Sequence, residues 1–260
     1  MWQPDGWART RIGVLTPHAD VWPEAEFGAM APDGISIHAA RIPFGAYKPG
    51  GTMDRTIAAN PVRAFADPPL VDDAAELLAS APLHAIAYCF TSSSYVRGAA
   101  DDAKLKERLE RHTRGIPVVI TCTAAVTALV ALGVTRVALI SPPWFSADMD
   151  QQGGRYFQSQ GFEVVHTGPA GLPSDQQAIQ PSELYEWVRT HTPKSAEAVF
   201  IGGNGFRAIG VIEALEENLG RPILTANQAA FWQALALAGS REPVVGYGRI
   251  FGLRLPQSQM

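Results

Sequence analysis

The sequence predicts an α/β protein in which helices cover parallel sheets. Short apolar runs alternate with helical patterns along most of the chain. Most of the runs are continuously apolar, as expected for strands that are buried on both faces. Glycines such as Gly133 and Gly220 follow several helical patterns, where a helix end favours a residue that tolerates positive φ. The alternation implies right-handed crossovers between parallel strands.

The elements follow in order from these runs and their polar boundaries. Nine strands are predicted, at residues 11–17, 34–43, 84–90, 116–122, 136–143, 162–168, 196–205, 222–227 and 243–251. Seven helices are predicted, at residues 73–81, 103–113, 123–133, 148–161, 181–191, 208–220 and 228–239. Segment 44–72 contains several Gly and Pro residues and interrupts the alternation. We interpret it as irregular, either a flap over a site or a plain surface loop.

The composition is typical of a globular protein without nucleic-acid or membrane partners. The 260 residues are 47% hydrophobic and 18% charged, and the net charge is −4. Nucleic-acid binding usually requires a basic patch, which this balance does not favour. The two cysteines cannot form a disulfide framework, no apolar run is long enough for a membrane span, and the first residues lack the apolar core of a signal peptide. We therefore expect a cytoplasmic protein.

Two small polar turns follow predicted strands, at the sheet edge where α/β proteins bind ligands. The first, "TSSS" at 91–94, offers hydroxyls and helix-start amides that favour an anion, although the hydroxyls could serve only as N-caps. The second, "GGNG" at 202–205, either lets a ligand approach the backbone or is simply a tight turn. Neither turn matches a serine-hydrolase elbow or a nucleotide-binding motif.

Titratable residues at other strand ends give further candidates. His18, Asp20 and Glu24 follow the first strand, but their spacing matches no strong metal pattern, and we expect no metal site. Cys89 lies within a strand and is predicted to be a buried hydrophobic residue. Cys122 immediately precedes a helix, whose dipole could lower the pKa of its thiol. Cys122 is therefore a candidate catalytic residue.

Several segments, in this order, resemble one superfamily. They are the opening strand and loop "RIGVLTPHADVWPEAEF", the turn "AIAYCFTSSSYVRGAA", the long segment "VIEALEENLGRPILTANQAAFWQALALAG" and, near the end, "GYGRIFG". These segments resemble the aspartate/glutamate racemase superfamily, in its maleate isomerase and arylmalonate decarboxylase branch.

The resemblance implies two flavodoxin-like lobes related by a pseudo-twofold axis, with the active site in the cleft between them. Residues 10–117 with 228–260 would form the first lobe, and residues 118–227 the second. It also implies chemistry without a cofactor on a small-molecule substrate. In this branch, one or two cysteines move protons, and hydroxyls and amides of the first turn stabilise an anionic intermediate. Association into a homo-oligomer is left open.

Residue by residue, the resemblance implies that the thiols are missing here. The family's two catalytic cysteine positions fall on Phe90 and Gly203. Cys89 is not expected to stand in for the first, because successive strand side chains point in opposite directions. Thr91 and Ser92 match the anion-binding pair. The scaffold and one anion hole are therefore expected to remain without the family's nucleophiles.

Other positions of the site also depart from the family. Trp144 falls on a hydrogen-bonding tyrosine, Asn204 offers an amide after the second cysteine position, and Asn227 matches an asparagine of the site wall. Asp20 falls on a carboxylate-binding asparagine, and an ionised Asp20 would repel a carboxylate placed there. Desolvation would raise the pKa of Asp20 and suit it to acid–base work.

We therefore expect a cofactor-independent enzyme similar to decarboxylases and isomerases of this branch, which acts on a small carboxylic acid or related carbonyl compound. Asp20 is the expected acid–base group, and Cys122 is a second candidate. Two alternatives stay open. One is a hydrolase of a small amide or cyclic imide that uses water activated by Asp20, and the other is a non-catalytic small-molecule binding protein.

Overall fold

The strands of the protein form two parallel sheets of four strands each, in a computed structural model that describes residues 6–256. The first sheet contains β1 (Thr10–Pro17), β2 (Ile35–Ile42), β3 (Ala85–Tyr88) and β4 (Val118–Ile120). The second contains β5 (Arg136–Ser141), β6 (Glu163–Pro169), β7 (Ala198–Ile201) and β8 (Ile223–Thr225). The orders β2-β1-β3-β4 and β6-β5-β7-β8 are equivalent. This repetition confirms the predicted pair of flavodoxin-like lobes.

Helices connect the strands and cover both sheets. They are α1 (Trp22–Met30), α2 (Ala59–Phe65), α3 (Leu70–Leu78), α4 (Thr91–Arg97), α5 (Ala99–His112), α6 (Thr121–Ala131), α7 (Ala147–Ser159), α8 (Pro181–His191), α9 (Ile212–Leu219) and α10 (Ala226–Leu237). Helix α9 ends at Gly220, which adopts the left-handed conformation expected at this position. No helix within residues 6–256 is both long and apolar enough to cross a membrane.

The last predicted strand, 243–251, is wrong. This segment contains no strand, and Arg249–Gly252 form a short 3-10 helix. Gly246 and Gly248 both adopt φ +89, a conformation that interrupts an extended chain. Side chains hold the segment instead of a sheet, since the amide of Gln228 donates to the carbonyl of Tyr247 at 2.6 Å.

The predicted lobe boundary also requires correction. A boundary at 117/118 assigns β4 to the second lobe, whereas β4 pairs with β3 in the first sheet. The first lobe therefore extends through Ile120. Helix α10 follows the last strand of the second sheet but packs against β3, β4 and α1 of the first lobe.

The two lobes pack directly against one another through α4 and α7. Tyr95 of α4 lies so close to Gly153 of α7 that a Cβ on this glycine would lie 2.5 Å from the tyrosine ring. Nearby, the hydroxyl of Tyr156 donates to the buried carboxyl of Asp102 at 2.9 Å. This close contact places the carboxyl ends of both sheets on opposite sides of a narrow cleft.

Candidate functional site

A cavity of about 30 Å³ lies in the cleft, bordered by residues that follow strands of both sheets. We call it the inner cavity, and its volume is about that of one water molecule. Seven of the nine predicted site residues line it: Asp20, Phe90, Thr91, Ser92, Trp144, Gly203 and Asn204. Cys122 and Asn227 do not. Among residues 6–256, the lining contains no Lys, Arg, His or Cys, and Asp20 is its one carboxylic acid.

Asp20 follows β1 and is only 4% exposed. Its Oδ1 accepts a hydrogen bond from the backbone nitrogen of Trp22 at 3.1 Å. The guanidinium of Arg41 donates to the backbone carbonyl of Asp20 and also pairs with Glu24 at 2.5 Å. Burial raises the pKa of Asp20 to about 7, although the Trp22 hydrogen bond and the charge of Arg41 oppose this effect. Asp20 can therefore gain or lose a proton near neutral pH.

Aromatic side chains form much of the inner cavity wall. The ring of Phe90 contacts that of Phe65 in a tilted arrangement, 4.1 Å between ring centroids, and meets Phe44 edge-on at 5.0 Å. Trp144 lies on the opposite side, 5.8 Å from the ring of Phe206. These contacts fix an apolar wall around Asp20 and explain the desolvation of its carboxyl.

Residues 44–57 of the predicted irregular segment 44–72 cover the inner cavity, which favours the flap interpretation over a plain loop. The rest of that prediction is wrong, because α2 (Ala59–Phe65) and the start of α3 lie within the segment. We call residues 44–57 the flap; Phe44, Tyr47, Met53 and Ile57 of the flap line the cavity. The hydroxyl of Tyr47 donates to Oε1 of Gln176, from the loop between β6 and α8, at 2.8 Å. Neither Tyr47 nor Gln176 lies in a recognisable sequence motif, so neither was predicted as a site residue.

A second, larger space of about 950 Å³, which we call the outer groove, lies on the side of the flap that faces away from the inner cavity. The flap forms one wall of the groove, and residues 173–178 of the second lobe form the other. Met53 and Gln176 line both the groove and the inner cavity. These two side chains therefore separate the cavity from the larger space outside it.

The side-chain oxygen of Asn204 occupies the position that an anion would take at the amide and hydroxyl of Thr91. Its Oδ1 accepts hydrogen bonds from the backbone nitrogen and the hydroxyl of Thr91, both at 2.8 Å. Its Nδ2 donates to Thr121 at 3.2 Å and to Asn227 at 2.8 Å. The predicted role of Thr91 as a donor to a ligand is therefore wrong, because its amide and its hydroxyl already donate to Asn204. The amide donor predicted at Asn204 stays a prediction. Ser92 is the remaining hydroxyl of the predicted pair.

Glu26 anchors this network from behind the cavity. Its Oε1 accepts from the backbone nitrogens of Ala208 and Ile209 at 2.8 and 3.2 Å, and its Oε2 accepts from Asn227 at 2.7 Å. Burial raises the pKa of Glu26 to about 7, against the opposing effect of these hydrogen bonds. Asn227 is thus a fully buried link between Glu26 and Asn204, not a wall of the cavity as predicted.

Glu26 lies on α1, a helix that the sequence patterns did not predict. The proline in the first turn of α1 is the sequence signal that could have located it.

Both cysteines are completely buried. The thiol of Cys122 donates to the carbonyl of Thr91 at 3.6 Å. Burial raises the pKa of Cys122 well above its usual value, so the predicted lowering by the helix dipole is wrong. Burial likewise raises the pKa of Cys89, as expected for a residue of the core.

Gly203 occupies a position that has no room for a side chain. It adopts φ +87, and an added Cβ would lie 2.3 Å from Cγ of Pro142. Its backbone nitrogen donates to the hydroxyl of Thr91 at 3.2 Å. A thiol at this position would therefore require the surrounding backbone to move.

Comparisons with known proteins agree with this architecture. A sequence profile of the family "Arylmalonate decarboxylase" matches residues 21–251. The arylmalonate decarboxylase of Bordetella bronchiseptica is 27% identical over 92% of this chain and 95% of its own length. The maleate isomerase of Alcaligenes faecalis is 22% identical over 95% and 98%, respectively.

Solved structures of the same two kinds share the fold. A glycine-to-cysteine mutant of arylmalonate decarboxylase in a sulfate-associated form has a TM-score of 0.76 at 23% identity, over 94% of this chain and 99% of that chain. The maleate isomerase of Pseudomonas putida S16 with maleate has a TM-score of 0.80 at 18% identity, over 93% and 97%. The resemblance inferred from the sequence segments is thereby confirmed.

Proposed function

This chain belongs to the arylmalonate decarboxylase family, and from that premise we propose that it is a cofactor-independent decarboxylase or isomerase of a small carboxylic acid or related carbonyl compound. Its relatives are a decarboxylase and an isomerase. In this proposal Asp20 takes over the proton transfer, since the resemblance implies that the family's cysteine positions fall on Phe90 and Gly203.

One observation carries the proposal: the carboxyl of Asp20 borders the inner cavity with a pKa of about 7. General acid–base catalysis is most efficient when the pKa of the group lies near the working pH. In a decarboxylation, the bond from the substrate's α-carbon to a carboxylate would break, carbon dioxide would leave, and the electron pair would pass into an enediolate. Protonated Asp20 would then donate its proton to that carbon. The hydroxyl of Ser92 borders the same cavity and supports the developing anion.

A hydrolase is the second candidate, and the size of the inner cavity favours it. About 30 Å³ accommodates one water beside the carboxyl of Asp20. Asp20 in its carboxylate form would accept a proton from that water. The oxygen of the water would at the same time attack the carbonyl carbon of a small amide or cyclic imide. This reaction requires Asp20 to be deprotonated at the start, whereas the decarboxylation requires it to be protonated.

The test is turnover of aryl malonates, cis-diacids, hydantoins and small amides by the native protein and by Asp20→Asn. We expect Asp20→Asn to lower the rate on the accepted substrate by about 100-fold or more. Asp33→Asn, which changes an exposed residue, is the matched control and should retain full activity. Unchanged turnover in Asp20→Asn would remove Asp20 from the mechanism. Thermal stabilisation by these compounds without any turnover would instead indicate a binding protein.

A further inference from the structure

We propose that Gln176 is a positioning residue for Asp20 and that Tyr47 orients it. This inference rests on the proposed acid–base role of Asp20. The two side chains come from different lobes and lie 129 residues apart in the chain.

The orientation of the Gln176 amide follows from its two neighbours. The Tyr47 hydroxyl donates to Oε1 of Gln176 at 2.8 Å, which leaves the NH₂ group for Asp20. A hydrogen bond from Gln176 to Asp20 lowers the pKa of the carboxyl, as a donor to the charged form should. Burial raises the pKa of Tyr47, so its hydroxyl stays protonated and remains a donor. The three groups therefore form a directed chain, from Tyr47 through Gln176 to Asp20.

Gly205 leaves the space in which this chain is built. A Cβ added to Gly205 would lie 1.9 Å from Nε2 of Gln176 and 2.7 Å from Oδ2 of Asp20. The amide and the carboxyl thus meet over bare backbone of the second lobe. Any larger residue at 205 would displace one of them.

The arrangement gives Asp20 one donor from each lobe. Oδ1 accepts from the Trp22 backbone nitrogen in the first lobe, and Gln176 approaches from the second. Gln176 and Met53 line both the inner cavity and the outer groove, so a ligand that passes between the two spaces on the Gln176 side displaces the side chain of Gln176. Displacement removes a donor to the carboxylate and favours protonation of Asp20. Return of Gln176 favours the carboxylate form of Asp20, and therefore transfer of that proton to the carbon of the bound intermediate.

Other titratable groups also lie near Asp20. They are Arg41 of β2, Glu24 and Glu26 of α1, Tyr47 of the flap and Cys89 after β3. Arg41 is already paired with Glu24, and Glu26 is held by backbone amides of the second lobe. A change at Gln176 removes none of these partners of Arg41 and Glu26, but it removes the acceptor of Tyr47. The Tyr47→Phe variant therefore measures the part of the titration shift that passes through Tyr47.

The test is an NMR titration of the Asp20 side-chain carbon in Gln176→Leu, with the resonance assigned from Asp20→Asn. We expect an upward shift of about one pH unit, and a smaller shift in the same direction in Tyr47→Phe. Gln177→Leu alters the exposed neighbour in the same loop and should leave the titration unchanged.

An unchanged titration of Asp20 in Gln176→Leu would overturn the inference. Should that variant fail to fold, Gly205→Ala separates the same two side chains and is expected to give the same upward shift; an unshifted titration there would overturn the inference equally. This readout does not depend on turnover. If the titration of Asp20 shifts in Gln176→Leu but Asp20→Asn loses no turnover, the positioning role stands and the proposed function is rejected. If the titration does not shift but Asp20→Asn loses turnover, the proposed function stands and the positioning role is rejected.

Discussion

The side-chain oxygen of Asn204 lies 2.8 Å from both the backbone nitrogen and the hydroxyl of Thr91. The family resemblance assigned Thr91, together with Ser92, to the substrate anion. Here an oxygen of the protein itself accepts both hydrogen bonds, and Glu26 holds it in place through Asn227. The polar chemistry available to a ligand is consequently concentrated at Asp20 and Ser92.

Asn204→Ala should destabilise the protein by about 2–5 kcal/mol, because it leaves the amide and hydroxyl donors of Thr91 and the side-chain oxygen of Asn227 buried without their acceptor or donor. Chemical denaturation monitored by circular dichroism measures this change. Asn218→Ala, at an exposed position of α9, should change the free energy of unfolding by less than about 0.5 kcal/mol. Equal effects of the two substitutions would show that the network contributes no stability.

Gly203→Ala should cost about 2 kcal/mol or more, since the new Cβ meets Pro142 and the residue keeps φ +87. Gly210→Ala is the control, because its Cβ would meet nothing within 4 Å and its φ is not positive. Thermal unfolding of both variants provides the measurement. A native melting temperature for Gly203→Ala would mean that the position tolerates a side chain, and with it the thiol of the family.

Asp20→Asn should stabilise the protein at alkaline pH. The pKa of Asp20 is about 7 in the folded state against 3.8 for the ordinary group, so the native state retains a proton that the unfolded state has lost. This contribution to stability therefore falls as the pH rises from about 4 to about 7 and stays low above that. At about pH 8 the variant should gain up to about 4 kcal/mol, at about 1.4 kcal/mol per pH unit, and almost nothing at about pH 4.

Glu26 titrates in the same range, so the comparison must be the difference between variant and native protein at each pH. Urea denaturation at several pH values supplies that difference. A gain that is independent of pH would mean that the carboxyl of Asp20 is not desolvated in the folded protein. Active sites typically contain such groups, which lower the stability of the folded protein, here because an ionised carboxyl is buried.

Neither cysteine should react with a thiol reagent while the protein is folded, because both side chains are fully buried and burial raises the pKa of each thiol. Labelling with a chromogenic disulfide before and after denaturation counts the accessible thiols. Cys122→Ala should also retain turnover on any substrate the native protein accepts. Rapid labelling of the native protein, lost in Cys122→Ala, would restore Cys122 as a catalytic candidate.

The fold was predictable because its information is local. Continuous apolar runs located all eight strands, and the rule that ligands bind at strand ends found most of the inner cavity lining. The one false strand, 243–251, contains the same apolar residues, but two glycines at positive φ override them. Helix α4 begins where the hydroxyl turn indicated a helix start.

The chemistry of the site was less predictable because it depends on side chains far apart in sequence. Whether Thr91 is free for a ligand is decided by Asn204, whose orientation is set by Asn227 and, further back, by Glu26. Gln176 lies in a loop without a motif and reaches Asp20 only because Gly205 has no side chain. No spacing in the sequence encodes such contacts.

The sulfur atom that borders the inner cavity belongs to a thioether and not to a thiol. Met53 lies between the cavity and the outer groove and is partly exposed, whereas both cysteines are sealed in the core. Oxidants such as peroxide, which inactivate thiol-dependent enzymes, would therefore find Met53 as their sulfur target at this site. Oxidation of Met53 to its sulfoxide would place a polar group at the edge of the inner cavity, beside its aromatic wall. Methionine sulfoxide reductases could reverse this oxidation.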